Sequence, residues 1–127
     1  MIRNVTTESY IYSSRTETIS PSTTYTFSCD LKVDSNVRSV DFYWLSRNSV
    51  DSTNGYDNIT QKSSVSIPLR NEWCHCSWTF TTKNNDVNGY IRIDNNGSYT
   101  SGVNASLRAT NLKLEIGDKD TGYLPNA

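Results

Sequence analysis

Apolar and polar residues alternate with a period of two along most of the chain, and the period of an amphipathic helix is absent. The alternation is clearest over Thr24–Val33, where the odd positions are apolar and the even positions are polar. Comparable runs, separated by turn-forming residues, cover residues 10–14, 38–46, 63–69, 74–82, 87–94 and 107–116. The pattern predicts about seven or eight short strands without crossover helices. The fold class is therefore all-β and antiparallel, as a two-sheet β-sandwich or a barrel.

The composition favours strands over disorder. Serine, threonine and asparagine make up more than a third of the chain, which is polar enough to make disorder the competing interpretation. Three tryptophans, eight tyrosines and three phenylalanines at strand-like spacing argue against it, because aromatic residues favour strands and supply apolar surface. A chain of 127 residues is long enough to bury one core, so we expect a single domain over residues 1–127.

The net charge and the hydropathy of the chain argue against nucleic acid and membranes as partners. The net charge of −1 creates no long-range field that would favour nucleic acid or an anionic membrane. No apolar run reaches the roughly 18 residues of a membrane helix, and the first residues lack the apolar stretch of a signal peptide. We expect no nucleic-acid partner, no membrane partner and synthesis in a cytoplasm. Polar residues 48–60 are predicted to form one long loop, of a length that is often functional or mobile.

The cysteines and the single histidine do not indicate a metal centre. The odd number of cysteines (Cys29, Cys74 and Cys76) fits poorly with a disulfide framework. On a strand, His75 would face away from Cys74 and Cys76, so the three side chains could not converge on one ion. We expect free, buried thiols that act as small apolar residues, and we predict no metal and no cofactor.

Catalysis has little support in the sequence. His75 is the only histidine, and no nucleophile motif accompanies it. A glycosidase-like pair of carboxylates among Asp41, Asp94 and Glu115 stays open, because the sequence alone does not place these groups in space. We predict that the chain is not an enzyme.

Aromatic residues that are not needed for the buried faces indicate binding. Tyr43 and Tyr90 fall opposite the apolar positions of their strands. An aromatic ring can pack on the C–H face of a sugar, and planar charged groups can bind its hydroxyls. The predicted saccharide contacts are Tyr43, Tyr90, Arg92 and His75, with Asp41 orienting them. The other interpretation is that the tyrosines only fill the second face of a half-exposed sheet.

Three segments resemble one known family. Residues 20–28 (SPSTTYTFS) resemble its strand entry, and residues 71–81, with Glu72, Trp73 and the run SWTFT, resemble its central segment. Residues 112–125 carry a closing signature in which Lys113, Glu115, Gly117, Thr121, Tyr123 and Pro125 recur. The segments are similar to those of jelly-roll carbohydrate-binding modules in tail and baseplate proteins of phages that infect Gram-positive bacteria.

The resemblance implies a two-sheet β jelly roll with a non-catalytic role. It implies a virion protein, made in the host cytoplasm and acting at the bacterial surface, whose partners are host cell-wall polysaccharide and other phage tail proteins. We expect the domain to be part of a larger tail protein. Related modules often hold a structural calcium through an aspartate in the last strand, where this chain has Ala109, Thr110 and Asn111, so no calcium site is predicted.

The resemblance also implies structural roles for most of the matched residues. The predicted core residues among them are Tyr25, Phe27, Trp78, Phe80, Leu112 and Leu114, and Gly117, Tyr123 and Pro125 are expected to fix the exit of the last strand. Two alternatives follow. The saccharide site could lie in the loops near Tyr56 and Tyr99 instead of on the sheet. The domain could also be a structural or docking domain of the tail, which would bind another virion protein through its spare aromatic face.

Overall fold

The computed structural model describes residues 2–5, 9–12 and 17–122, with side chains from Ile19 onward except those of Thr60 and Gln61. These residues form nine strands. They are β1 (Ile2–Val5), β2 (Ser9–Tyr12), β3 (Glu17–Thr18), β4 (Thr24–Val33), β5 (Val40–Arg47), β6 (Asn58–Ser64), β7 (Trp73–Thr81), β8 (Asn88–Asn95) and β9 (Ala105–Ile116).

The strands form two antiparallel sheets. The four-stranded sheet has the order β1-β9-β4-β7. The five-stranded sheet has the order β2-β8-β5-β6, and the short β3 also pairs with β8. The predicted all-β, two-sheet sandwich of the jelly-roll class is therefore confirmed.

The apolar faces of both sheets meet in one core. From the four-stranded sheet Phe27 and Leu31 point inward, and from the five-stranded sheet Phe42, Trp44 and Ile93 do so. The rings of Phe27 and Phe42 meet edge to face with centroids 5.1 Å apart. The predicted inward positions of β4, β5 and β8 are thus confirmed. The three cysteines are free and buried, as expected.

A buried carboxylate anchors the largest core side chain. The indole Nε1 of Trp44 donates to Asp86 Oδ2 at 3.1 Å, and the Ser46 hydroxyl donates to Asp86 Oδ1 at 2.6 Å. The backbone N–H of Lys83 also donates to Asp86 Oδ2, at 2.9 Å. Asp86 is fully buried, and these donors replace the water that it loses. The turn before β8 is therefore tied to the middle of the five-stranded sheet.

The region between β5 and β7 differs from the sequence prediction. The predicted loop of residues 48–60 ends earlier, and β6 spans Asn58–Ser64 instead of residues 63–69. β6 is an edge strand with few apolar residues, so backbone pairing with β5 defines it and the alternation is weak. Val65 and Ile67 follow the strand and pack partly against the core, whereas Leu69 is exposed. The sequence also did not predict β1 or β3.

A bulge in β9 changes which residues face the core. Asn111 has a positive φ of 56°, and the register with β4 shifts between Ser28 and Asp30. Before the bulge the odd positions Leu107 and Ala109 are buried. After it the even positions Leu112 and Leu114 pack against the core, as predicted, and Ile116 at the strand end is exposed.

Residues 117–122 turn back toward the outer face of the four-stranded sheet and form what we call the C-terminal latch. Gly117 begins it with a φ of 107°. Lys113 Nζ donates to the hydroxyl of Thr121 at 2.6 Å and to the carbonyl of Gly122 at 2.8 Å, and the Thr121 hydroxyl donates to Glu115 Oε1 at 2.7 Å. The recurring Lys, Glu and Thr of the closing signature thus hold one another. Tyr123 and Pro125 lie outside the described residues.

Candidate functional site

The outer face of the five-stranded sheet carries a row of aromatic and charged side chains. Tyr43 on β5 is paired with Arg92 on β8 and with Lys62 on β6. In the adjacent row, Asp41 is paired with Asp94. Directly paired residues of antiparallel strands point to the same side, so these five groups share one surface. We call this set the polar face.

Arg92 is fixed on the polar face from two sides. Its Nε donates to Asp94 Oδ1 at 2.9 Å, and Nη2 donates to Oδ2 at 3.5 Å. Its guanidinium carbon lies 4.6 Å from the ring centroid of Tyr43, within the range of a cation–π contact. The side chain of Asp94 is fully buried, so the ion pair is screened little by solvent. Arg92 and Tyr43 therefore form one rigid, preorganised unit.

Lys62 and Asp41 form the more exposed part of the same face. Lys62 Nζ lies 5.5 Å from the Tyr43 ring centroid and 4.0 Å from Asp41 Oδ2. A hydrogen bond with Tyr43 and the charge of Asp41 raise the pKa of the Lys62 ammonium. Asn96 Nδ2 donates to Asp41 Oδ2 at 3.0 Å. The face thus presents a phenol, two cations and an oriented carboxylate across three neighbouring strands, β8, β5 and β6.

Tyr90, predicted as a contact, is buried. It has 3% of its surface exposed, and its strand partner Leu45 is buried as well. The loop of residues 48–57 covers this end of the sheet: a Cβ added to Gly55 would lie 3.9 Å from the phenolic oxygen of Tyr90. The prediction of Tyr90 as a direct contact therefore has to be corrected to a buried position beneath the loop. Strand alternation gave its face correctly, but alternation does not reveal a covering loop.

Polar contacts within that loop hold it in place. Asn54 Nδ2 donates to Asp57 Oδ1 at 2.7 Å, and the backbone N–H of Asn48 donates to Asp57 Oδ2 at 2.9 Å. These bonds, with that from Asn54 the strongest, lower the pKa of the Asp57 carboxyl. The backbone N–H of Asp57 donates to the carbonyl of Ser46 at 2.7 Å, which fastens the loop to the end of β5.

His75 does not share the polar face. It lies on β7, at the edge of the other sheet, and its side chain points to the outer side of that sheet. Its Nδ1 is 2.7 Å from Asp30 Oδ1, and its Nε2 bonds to Asp120 in the C-terminal latch. The prediction that grouped His75 with Tyr43 and Arg92 is therefore wrong, because alternation assigns a side of the strand but not the sheet to which the strand belongs.

The two loop tyrosines considered as an alternative site lie apart. Tyr56 precedes β6 and lies near the end of β5, whereas Tyr99 follows β8, whose end pairs with the start of β5. Both rings are exposed, and Arg38 lies 5.7 Å from the ring centroid of Tyr99. The two rings are at opposite ends of the five-stranded sheet and cannot form one site with each other.

Residues 3–99 match the profile of a family described as carbohydrate binding domain. The chain belongs to this carbohydrate-binding domain family. No curated protein sequence matches the chain. The family predicted from the three sequence segments, a carbohydrate-binding module, is thereby confirmed.

Solved structures share the fold of this carbohydrate-binding domain at low sequence identity. One, described as Family 16 Carbohydrate Binding Module-2, is 16% identical with a TM-score of 0.57, and the match covers 89% of this chain and 73% of that chain. Another is the tripod from the baseplate of bacteriophage Tuc2009, at 18% identity and a TM-score of 0.53, covering 97% of this chain. The domain spans only 49% of the length of that tripod chain. These likenesses concern the fold.

The three carboxylates considered for catalysis each have a hydrogen-bond partner within the carbohydrate-binding domain. Asp94 is held by Arg92 and Asp41 by Asn96, while Glu115 lies on the other sheet and accepts from Thr121. In the part of the chain that the structure describes, no group of three or more His, Cys, Asp or Glu residues is arranged to hold a metal ion. The same described residues include no helix that could cross a membrane.

Proposed function

We propose that the domain binds a saccharide on the polar face and that Tyr43, Arg92, Asp41 and Lys62 make the contacts. The observation that carries the proposal is the Tyr43–Arg92 unit, in which the buried carboxylate of Asp94 holds the guanidinium against the ring. Membership of the carbohydrate-binding domain family supports the same class of ligand. Relative to the sequence prediction, Tyr90 is covered by the loop and His75 lies on the other sheet, so neither is a proposed contact.

The chemistry of the polar face suits a neutral, hydroxylated ring. The Tyr43 ring and the Arg92 guanidinium held against it form a flat surface for C–H groups, and Arg92 and Asp41 provide planar donors and acceptors for hydroxyls. A preorganised face saves the entropy of ordering side chains on binding, which matters when the site is shallow. We infer that each copy binds weakly.

We propose that the domain is non-catalytic. Hydrolysis of a glycosidic bond requires one carboxyl group that can give up a proton and a second that acts on the sugar. Asp94 is buried in an ion pair, and Asp41 already accepts from Asn96, so neither is arranged as an accessible proton donor. The site instead suits retention of a chain of sugars.

The biological setting that we propose is a phage tail, in which the domain is one part, residues 1–127, of a larger protein that adheres to host cell-wall polysaccharide. The fold likeness to a baseplate tripod and the closing signature support this setting. Many copies around a symmetric tail would raise weak single-site affinity into stable adhesion. Other tail proteins are the expected partners within the virion.

The first experiment compares two tyrosines that each lie near an arginine. Tyr43→Ala removes the ring from the polar face, whereas Tyr99→Ala removes an exposed ring that also contacts a guanidinium, 5.7 Å away, at the end of the sandwich. With purified host-wall polysaccharide, Tyr43→Ala should weaken binding by about ten-fold, equivalent to about 1.4 kcal/mol. Tyr99→Ala should leave binding within two-fold of the unmodified domain.

Two results would count against this function. Equal affinities for Tyr43→Ala and the unmodified domain would remove the site from the polar face. The absence of any binding to host polysaccharide, even with the domain displayed in many copies on a particle, would favour the docking role. In that case, deletion of the domain from the phage should impair tail assembly and leave adsorption of assembled particles unchanged.

A further inference from the structure

The outer face of the four-stranded sheet carries a second row of side chains that the saccharide site does not use. Lys32 on β4 is paired with Trp73 on β7 on one side and with Arg108 on β9 on the other. Directly paired residues point to the same side of a sheet, so an indole and two cations lie next to one another. This row is on the opposite side of the sandwich from Tyr43 and Arg92.

Two like charges, those of Lys32 and Arg108, lie side by side in this row. Like charges that lie directly opposite each other on neighbouring strands destabilise a sheet. Among the residues that the structure describes, neither Lys32 nor Arg108 has a carboxylate within ion-pair distance. Such an arrangement is expected where an anion from outside the protein completes it.

The nearest carboxylates have other partners. Asp34 Oδ2 accepts the backbone N–H of Ser106 at 2.8 Å, and its Oδ1 accepts the N–H of Asn36 at 2.9 Å. Asp30, two residues before Lys32 on the same face, accepts from Asn111 Nδ2 at 2.8 Å and is bonded to His75. Neither aspartate is arranged to neutralise the pair of cations.

A cleft accompanies the cations. It has a volume of about 160 Å³ and is lined by Lys32, Asp34, Asn71, Ser106 and Arg108. Counting Lys32 and Arg108 as positive and Asp34 as negative, the lining has a net charge of +1. Water takes about 30 Å³ per molecule, so the cleft has room for a tetrahedral or planar anionic group together with part of its carrier. Ser106 and Asn71 provide neutral polar groups at its wall.

The third member of the row is an exposed aromatic surface. Half of the surface of Trp73 is exposed, which is unusual for a tryptophan that has an apolar core nearby. It adjoins Lys32, so a ligand whose anion lies between the cations can extend over the indole. Sugars pack well on indole faces through their C–H groups. The row therefore combines an anion site with a ring-stacking surface.

We propose that Lys32, Arg108 and Trp73 form a second saccharide site, selective for sugars that carry a phosphate or carboxylate substituent. The cations and the cleft take the anionic group, and Trp73 takes the sugar ring. The polar face would then bind a neutral sugar ring and this row an anionic sugar, on opposite sides of one domain. The proposal does not depend on binding at Tyr43.

The test uses three monosaccharides that differ in charge: glucose, glucuronate and glucose 6-phosphate. Each is titrated into the isotopically labelled domain, with the indole N–H of Trp73 and the backbone N–H of Ser106 followed by NMR. Glucose 6-phosphate or glucuronate should shift both signals, glucose should not, and added salt should weaken the effect. Inorganic phosphate should bind at least five-fold more weakly than glucose 6-phosphate, because it lacks the ring.

Variants separate the site from general surface charge. The double variant Lys32→Gln and Arg108→Gln should weaken binding of the anionic sugar at least ten-fold. The matched double variant Lys83→Gln and Lys119→Gln removes the same charge from exposed lysines elsewhere and should have no effect. Trp73→Ala should reduce glucose 6-phosphate to the affinity of inorganic phosphate.

Three results would overturn the proposal. No response to either charged sugar at millimolar concentration would show that there is no anionic-sugar site on this face. Equal losses of affinity in the two double variants would show that the sugar binds only through the general positive charge of the surface. Equal affinity for inorganic phosphate and glucose 6-phosphate would remove its saccharide part. Tyr43→Ala should leave these titrations unchanged, so failure here and failure of the polar face are distinguishable.

Discussion

Gly89, near the start of the inner strand β8, has no space for a side chain. A Cβ at this position would lie 2.5 Å from the carbonyl oxygen of Leu45 and 2.6 Å from the Trp44 ring. Real Cβ atoms do not approach backbone oxygens so closely, so Gly89→Ala would force β5 and β8 apart. The strands that it would separate are those that carry Tyr43 and Arg92.

We predict that Gly89→Ala lowers the free energy of unfolding by about 1–3 kcal/mol. The measurement is urea denaturation followed by tryptophan fluorescence. Gly55→Ala is the matched control, because its added Cβ would meet only the Tyr90 oxygen at 3.9 Å, an ordinary contact. Equal midpoints for the two variants would show that the sheet can adjust at Gly89.

For single residues, the sequence predicts well which side of its strand a side chain faces, and it predicts poorly what surrounds that side chain. Asp41, Tyr43 and Arg92 lie together as the alternation indicated, because a two-residue period follows from strand geometry alone. The burial of Tyr90 depends on a loop, and the partners of His75 depend on strand order and on a distant turn. Both are consequences of tertiary structure. The bond from Trp44 to Asp86 carried no sequence signal either.

The histidine bridge couples the C-terminal latch to the sheet in a pH-dependent way. Two carboxylates can only accept hydrogen bonds, so both bonds of His75 are satisfied when both ring nitrogens carry protons. The bond to Asp30, followed by the bond to Asp120, raises the pKa of His75. Asn111 and His75 lower the pKa of Asp30, and the Gly122 N–H and His75 lower that of Asp120.

We predict that the bridge stabilises the fold most between about pH 4 and pH 6.5, the ordinary pKa values of Asp and His. The raised pKa of His75 means that its contribution is complete below about pH 6.5 and is lost as pH rises through the folded-state pKa. The lowered pKa values of Asp30 and Asp120 mean that their contribution is complete above about pH 4 and is lost as pH falls through those values.

The measurement is the melting temperature across pH for the unmodified domain and for His75→Gln. The difference between them should be largest near pH 5.5 and should shrink toward pH 9. The effect should be modest, since 45% of the His75 side chain is exposed to screening by solvent. A constant difference from pH 4 to pH 9 would mean that the imidazolium has no role in holding the latch.

At the scale of elements, strands with strong alternation were predicted within a few residues, and β4 was predicted to its exact bounds. β6 was displaced because a polar edge strand is defined by pairing and not by hydrophobic period. The Leu112, Leu114 and Ile116 alternation was visible in the sequence, but the bulge at Asn111 that connects it to Leu107 was not. The left-handed backbone conformation of Asn111 is what moves the core-facing positions of β9 from odd to even residue numbers.

At the scale of the whole molecule, burial in the sandwich keeps the thiols of Cys29 and Cys76 away from reagents. Burial raises the pKa of the Cys29 thiol far above its usual value and that of Cys76 to about 11. The reactive species is the thiolate, so both groups should be inert in the folded domain at neutral pH. Because Cys29 is fully buried in the shared core, its modification requires the sandwich to open.

We predict that Cys29 and Cys76 resist a disulfide reagent at pH 8 under native conditions and that three thiols react in guanidinium chloride. The measurement is release of the coloured thiolate over time, with modified sites assigned by mass spectrometry. Ser101→Cys, at an exposed position, is the control and should react at once. Native reaction of Cys29 at the rate of that control would contradict a closed core.

The fold class of the whole molecule was accessible from the sequence because an all-β sandwich needs only repeated alternation and turns between the runs. The order of strands was not, since antiparallel alternation is compatible with many pairings. The candidate site could be predicted only in part from the sequence, for the same reason. Which strands become neighbours decides which side chains meet.

The strand order also decides when, during synthesis, the four-stranded sheet can form. β9 is the last described strand, yet it lies between β1 and β4 and pairs with both. While the chain is still emerging from the ribosome, β1 has no neighbour in its sheet and β4 has only β7. The backbone edges of those strands that pair with β9 stay unpaired until β9 is made. The four-stranded sheet is therefore expected to form only after β9 has emerged, and the most vulnerable interval of the domain comes before that point.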